Sequence, residues 1–346
     1  MDYKYDYLVF IGRFQPWHEG HEDVLKTALK LARNVIVLVG SSNRHISVEN
    51  PWTYEQREEM ISGSFHFKNV EQDIFVCPLN DYPNDTAWVM AVENTLRGII
   101  NEKNRSKIGL IGYDKDSTSY YLRMFPTWEV EQIKVQYGTI NSTQIREQYF
   151  QRAPVISEFV PNSVRSYLKA FALKPEFKWL LDEFEYHREY KRMWANSPFP
   201  PFFVTVDPVV VQSGNILLVT RKEPPYKGAL ALPGGFVKEN ELLVNAAIRE
   251  LREETKISDD KGEIPPAMLK SFIAGHSYFD DPKRSQRGRA ITHAFLFDLP
   301  KKGSLYKVIG SDDAEKADWY SLASLKTSEF MEDHAFIIQD MLGIEF

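Results

Sequence analysis

Two runs of large apolar residues near the N-terminus, YLVFI at residues 7–11 and VIVLV at residues 35–39, constrain the fold more than any other feature. Each reads as a buried strand. Between them residues 20–34 place Leu25, Leu29 and Ala32 on one helical face. A strand, a helix and a second strand within so short a stretch make a parallel βαβ unit, because a parallel partner needs a crossover of about this length. Further strands are expected at residues 73–77, 108–112 and 129–135, with helical stretches around residues 53–62 and 88–100. The N-terminal part is therefore predicted to be a doubly wound α/β domain with a parallel sheet.

In such a fold, ligands bind beyond the carboxyl ends of the strands. The loop after the first strand reads GRFQPWHEGH. It contains no GxGxxG, and no Gly-Lys-Ser/Thr phosphate loop lies near it, which argues against a dinucleotide-binding Rossmann site and a P-loop. Instead His18 and His21 flank Gly20 at the start of a helix. Imidazoles there can donate to phosphate oxygens at the positive end of the helix dipole. Gly12 would admit close approach of a ligand, and Arg13 adds charge. A capping histidine or an adventitious metal site are the plainer explanations of the same pattern.

A second constellation lies far along the chain, where residues 232–257 read LPGGFVKENELLVNAAIRELREETKI. Val244, Ala247, Ile248 and Leu251 form an apolar helical stripe, and Glu250, Glu253 and Glu254 project from adjacent positions off it. An ordinary acidic helix face is the alternative. Crowded carboxylates repel by roughly 0.2–0.5 kcal/mol per pair, unless a hard cation that prefers oxygen ligands sits among them. The Pro233-Gly234-Gly235 turn can aim a carbonyl, that of Gly235, at the same ion, and Arg249 can pair with Glu253 one turn on.

These residues resemble the signature box of the Nudix hydrolases. The departure is Lys256, where the family has a helix-closing glycine; a lysine in the left-handed conformation costs about 1 kcal/mol. The resemblance implies an α+β domain, an Mg²⁺ (or Mn²⁺) site on Gly235, Glu250, Glu253 and Glu254, and catalytic roles for Arg249, Glu250 and Glu254. Strands at residues 202–211 and 215–221, joined by Gln212-Ser213-Gly214, and further strands at 272–276 and 291–297, fit it. So does a final helix from Phe330 onwards. Arg284, Arg287 and Arg289 form either a solvated basic loop or, beside a pyrophosphate site, bidentate phosphate ligands. Their run resembles the arginine-rich loop of Nudix domains associated with NAD metabolism.

GRFQPWHEGH is similar to the first motif of the nucleotidyltransferase superfamily, and residues 140–146 (INSTQIR) resemble its second. The resemblance implies phosphate binding by His18, His21 and Arg146, with Gly12, Arg13, Phe14, Ser142 and Thr143 in the substrate site. Asn141 stands where the family has a serine. Asn50-Pro51-Trp52-Thr53 and the stretch from Asp81 to Trp88 look like the archaeal type of nicotinamide mononucleotide adenylyltransferase. That implies a nicotinamide ring stacked on Trp88 and its carboxamide on Asn84, although Trp88 could equally be core. Residues 112–116, after a strand, would lie beside the adenine or phosphates.

Pro198, Pro200 and Pro201 end a charged, aromatic helical stretch, so the expected domains are residues 1–160 and 199–346 with a helical connector at 161–198. At 346 residues, two domains match the length prior. A net charge of -6 argues against nucleic acid as partner, and one cysteine, Cys77, excludes intrachain disulfides and fits a reducing cytosol. No apolar run approaches the roughly 20 residues that span a bilayer, and no secretory signal is visible, so a soluble cytoplasmic protein is expected, with no membrane partner. Homo-oligomerisation stays open. Together the resemblances imply an enzyme that joins ATP to nicotinamide mononucleotide, giving NAD, and hydrolyses ADP-ribose. Rivals are another acceptor, such as pantetheine phosphate, a flavin mononucleotide or a cytidylyl acceptor, and an ADP-ribose sensor without cleavage. The proline many ADP-ribose pyrophosphatases carry some sixteen residues past the box is absent from residues 271–274.

Overall fold

The N-terminal apolar runs pair side by side as their composition demands. In the computed structural model, which describes residues 3–64, 73–100, 106–113, 121–133, 141–151, 156–301 and 303–346, they are β1 (Tyr5–Gly12) and β2 (Ala32–Val39), crossed by α1 (Glu19–Leu31). The helix ends three residues earlier than periodicity alone suggests. Residues 32–34 join β2 instead, because Ala32 and Asn34 pair in register with Tyr5 and Tyr7. β3 (Asp73–Pro78) adds outside β2, while β4 (Ile108–Gly112) and β5 (Glu129–Gln132) add on the other side of β1. The five-stranded sheet has the order β3-β2-β1-β4-β5, parallel throughout.

Alternation along β1 separates two faces. Val9 and Ile11 join Ile36, Leu38 and Leu110 in a core closed by Val92 and Leu96 of α3 (Asp85–Ile99), while α1 and α2 (Tyr54–Ser64) pack against the strands as well. The order reverses between β1 and β4, so a cleft opens at their carboxyl ends. α4 (Ser142–Tyr149), α5 (Asn162–Phe171) and α6 (Pro175–Met193) follow. The expected sites at residues 114–116 and 140, and the last residues of the strand expected to reach 135, lie outside the described residues.

The chain divides into two compact units, Met1–Leu181 and Asp182–Phe346, with the division inside α6. The stretch expected as a connector is thus shared. In the second unit, Glu183 accepts a bond from the Tyr226 N–H at 3.3 Å, and Tyr190 and Trp194 set their rings edge-on to Phe203.

That unit is a mixed seven-stranded sheet. β6 (Phe202–Gln212) and β7 (Asn215–Arg221) form the expected hairpin, with Ser213 and Gly214 at positive φ. β12 (Ile273–Phe279), β13 (Arg289–Asp298) and β14 (Ala314–Ser321) complete the path β12-β13-β6-β7-β14, in which only β13 and β6 run parallel. Two short strands, β8 (Leu230–Ala231) and β9 (Gly235–Phe236), pair with β7 and β6. α7 (Leu243–Thr255) buries Ala246, Ala247 and Leu251 against Val206, Leu217 and Phe295 on one face. α9 (His334–Leu342) lays Ile337 and Ile338 on Val209, Ile216 and Leu218 on the other. α9 starts later than expected because Phe330 bridges Leu230, Met331 N–H bonds the Leu230 carbonyl, and Glu332 holds φ 43°. A hairpin of β10 (Ser258–Asp259) and β11 (Gly262–Glu263) and the short α8 (Pro266–Ser271) precede β12.

Candidate active sites

In the first unit the loop after β1 folds back on itself. Phe14, at φ 52° and 2% exposed, turns its ring into the space beside Gly12, where an added Cβ would lie 2.7 Å from the ring. Gly12 thereby admits the Phe14 ring, and the Phe14 side chain is a core element of the loop. Its ring meets His21 edge-on at 4.9 Å, and His18 stacks on His21 at 3.6 Å. His18 is the N-cap of α1; its N–H donates to His21 Nδ1 at 3.3 Å. The histidines thus cap the helix, and the bond at Nδ1 leaves the neutral His21 ring with its proton on Nε2, a donor at the positive helix end.

Two buried arginines hold this loop. Arg146 Nη1 donates to the Gln15 carbonyl at 2.7 Å and Nη2 to Thr143 Oγ1 at 3.3 Å, while Ser142 Oγ donates to the Pro16 carbonyl. Asn141 caps α4 by accepting from Gln144 N–H at 2.8 Å, a task it performs as well as a serine. Arg57, not anticipated from the sequence, is 1% exposed and donates to the carbonyls of Arg13, Gly40, Ser41 and Thr53, tying the ends of β1 and β2 together. Its one signal is a charged residue a helical turn after Thr53, in a helix without a clear apolar stripe. Burial, and then the neighbouring Arg13 charge, push both Arg57 and Arg146 down to about 10. Three guanidiniums this close repel unless an anion lies among them.

At the same end of the sheet Asn84 caps α3, its oxygen accepting from Ala87 N–H at 2.9 Å. Trp88 is half-buried on that helix's first turn, edge-on to Tyr121 and tilted to Phe125, both at 6.1 Å, and packs on the core.

In the second unit α7 faces the glycine turn. At Gly235 a Cβ would stand 2.6 Å from Glu250 Oε1, so any side chain there would displace that carboxylate. Gly234 N–H donates to Glu254 Oε2 at 3.1 Å. Arg249 holds Glu241 with Nε and Nη2 (2.8 and 2.9 Å), and Nη1 joins Glu250 at 2.7 Å to Glu253 at 3.0 Å. The predicted carboxylate trio is thereby divided. Glu250 and Glu254 are buried beside the glycine turn, whereas Glu253 lies outward on Arg249 with 40% of its side chain exposed. Burial pushes Glu254 up to about 8, against the Gly234 N–H and reinforced by the Glu250 charge; burial raises Glu250 too. Among the described residues no group of three or more such side chains converges on one point as metal ligands would. Two buried, mutually repelling carboxylates next to a turn carbonyl nonetheless make an all-oxygen donor set that a divalent cation would relieve.

The arginine loop does not act as one cluster. Arg284, 7% exposed, bonds Asp333 with Nε and Nη2 at 3.0 Å and lies 3.6 Å from Asp207, so its charge is engaged inside the protein. Arg289 pairs with Asp280, away from the cleft. Arg287 does line the cleft, 5.5 Å above the Phe236 ring and 3.7 Å from Glu332. Arg221, Glu332 and His334 also line it, and none was anticipated. His334 is 6% exposed, accepts from Leu232 N–H at 3.0 Å on Nδ1, and is pushed down to about 3, mainly by burial.

These two sites define two protein classes, and comparison with known proteins assigns one to each unit. Residues 9–148 match the cytidylyltransferase-like family and residues 201–341 the NUDIX domain family. A nicotinamide/nicotinic acid mononucleotide adenylyltransferase of Acinetobacter baylyi is 36% identical over 182 residues, 53% of this chain and 95% of that protein. An ADP-ribose pyrophosphatase of Methanocaldococcus jannaschii is 37% identical over 139 residues, 40% of this chain and 72% of that protein. The crystal structure of a bifunctional NMN adenylyltransferase/ADP ribose pyrophosphatase from Francisella tularensis superposes with a TM-score of 0.91 at 34% identity, covering 98% of this chain and 99% of that one. A second structure of it, complexed with AMP and a Mn ion, gives 0.88. The chain belongs to this family of bifunctional enzymes.

Proposed function

We propose that the first unit transfers the adenylyl group of ATP to nicotinamide mononucleotide, releasing NAD and pyrophosphate, and that the second hydrolyses ADP-ribose to AMP and ribose 5-phosphate. The observation that carries the reading is one chain holding two sites, an arginine- and histidine-lined loop and a buried carboxylate pair, each resembling a relative with one of these activities. In the first reaction the phosphate of the mononucleotide attacks the α-phosphorus of ATP, and the protein supplies position and charge. His18, His21, Arg13 and Arg146 hold the triphosphate and offset charge on the departing pyrophosphate. Trp88 offers a face to the nicotinamide ring and Asn84 its amide, with Ser142 and Thr143 at the α4 terminus.

In the second, Glu250 and Glu254, with the Gly235 carbonyl, would hold Mg²⁺ or Mn²⁺, and Arg249 keeps Glu250 in place. The bound ion supplies neutralisation of the pyrophosphate and a more acidic water. One of the two carboxylates orients or deprotonates that water. Arg287 is the loop arginine placed to meet a phosphate. Glu253, paired with Arg249 and more exposed than the other two, would join them from the outer side of the site. The domain limits that accompany this reading are 1–160 and 199–346 around a helical stretch, and a single free cysteine, Cys77, fits the cytoplasm.

Product analysis tests both halves. ATP with a panel of mononucleotide acceptors should yield NAD from nicotinamide mononucleotide, and ADP-ribose with Mg²⁺ or Mn²⁺ should yield AMP. Preference for pantetheine phosphate or a flavin mononucleotide would overturn the first assignment; tight ADP-ribose binding without cleavage would overturn the second.

A further inference from the structure

His334 begins α9, on the sheet face opposite α7, yet its ring reaches the hydrolase cleft. Nδ1 is occupied by the Leu232 N–H at 3.0 Å, so the neutral ring carries its proton on Nε2. Among the described residues the Leu232 bond at Nδ1 is the ring's one hydrogen bond, and His334, 6% exposed, lines the cleft. A donor on the wall of a cleft, with its other nitrogen already taken by the protein, is free to meet a ligand there.

We propose that His334 is a positioning residue for the hydrolase substrate, donating from Nε2 to a non-bridging oxygen of the pyrophosphate. The proposal rests on the reading of this cleft as a pyrophosphatase site. Two anchors on the glycine turn carry the argument: Leu232 is held by His334 and Gly234 by Glu254, two residues apart along one loop. A substrate drawn to the carboxylate pair through a cation therefore arrives beside the ring. A neutral donor adds no further positive charge beside Glu254, where the Arg221 charge already acts. Arg284 illustrates the alternative, its charge being taken up by Asp333 and Asp207.

Two substitutions separate the donor from the loop anchor. Asparagine reaches the Nδ1 position and keeps the Leu232 bond but lacks Nε2; glutamine reaches the Nε2 position and lacks the Leu232 bond. His334→Asn should keep the wild-type melting temperature and raise KM for ADP-ribose about tenfold, the loss of one charge-assisted hydrogen bond. His334→Gln should bring KM back to within a few-fold of wild type while melting earlier. The opposite order, with His334→Asn at wild-type KM and His334→Gln impaired, would leave His334 as a loop anchor only and overturn the proposal. Should neither variant fold, the wild-type Nε2–H resonance decides it: adding ADP-ribose without metal should shift it, and an unmoved resonance at saturating ligand counts against the donor. Absence of ADP-ribose turnover in the wild type is a separate outcome that sinks the substrate reading, and the variants are then compared on whichever pyrophosphate the protein does cleave.

Discussion

His21 caps a helix with one edge of its ring and, in the proposed reaction, would meet ATP with the other, and the two duties can be pulled apart. His21→Ala removes the bond from His18 N–H together with the donor, and adenylyl transfer should fall by about 10²–10³-fold, as when one preorganised donor is lost. ADP-ribose hydrolysis, housed in the other unit, should be unchanged, and parallel assays of both reactions check it. Glu254 presents the reverse conflict, in which the functional group destabilises its own fold. Glu254→Gln should abolish hydrolysis yet leave metal-free protein as stable as wild type or more so, because a buried carboxylate pushed up to about 8 is replaced by a neutral amide. Added Mg²⁺ should raise the melting temperature of the wild type and not of the variant. His334 has a definite pH signature. Its folded-state value of about 3 lies below the usual 6.5, so as pH falls below 6.5 the unfolded chain takes up a proton that the folded chain refuses. The imidazole's contribution to stability should be lost at about 1.4 kcal/mol per pH unit down to about 3. Denaturant titrations of wild type and His334→Asn between pH 7 and pH 5 should show the wild type losing ground by that slope.

At the scale of elements, α7 is closed by Lys256 at φ 45° and ψ 38°, with its N–H on the Arg252 carbonyl. A lysine there carries left-handed strain of about 1–2 kcal/mol, while glycine loosens the unfolded chain by roughly 0.4–1 kcal/mol. Lys256→Gly should therefore raise stability by about 1 kcal/mol without altering hydrolysis, measurable by urea denaturation. The end of α7 is foreseen only through the resemblance, because Lys256 carries none of the local signal a glycine would give. β1, β2 and the apolar face of α7 are legible in the sequence alone, since apolar period follows from neighbours in the chain. β14 is not: AEKADWYS alternates too poorly, and its pairing with β7 supplies what its composition lacks. The arginine loop misleads in another way. Whether Arg284 meets a phosphate or a carboxylate depends on Asp207 and Asp333, which lie far along the chain on either side. Arg57 leaves no comparable mark, because its partners are backbone carbonyls, which every sequence has.

At the scale of the molecule, each unit holds its own site, and the limits of the second decide what can be isolated. Because Glu183, Tyr190 and Trp194 bond or pack on Tyr226 and Phe203, a fragment of residues 175–346 should hydrolyse ADP-ribose and melt cooperatively. A fragment beginning at Phe202 should melt several degrees lower, which calorimetry of the two would reveal. The order of strands also bears on how the chain is made. β1 meets β2 across a single helix, and both leave the ribosome early. β6 runs parallel to β13 from Phe202 to Val211, and every element from β7 to β12 is translated between them. Distant pairing of this kind is slow to form, and during synthesis the apolar edge of β6 stands without its neighbour until β13 emerges. β1 likewise waits for β4, since Tyr7 pairs with Ile108 and their numbers differ by 101 (108 − 7), so each sheet closes only when a strand late in its own unit has emerged.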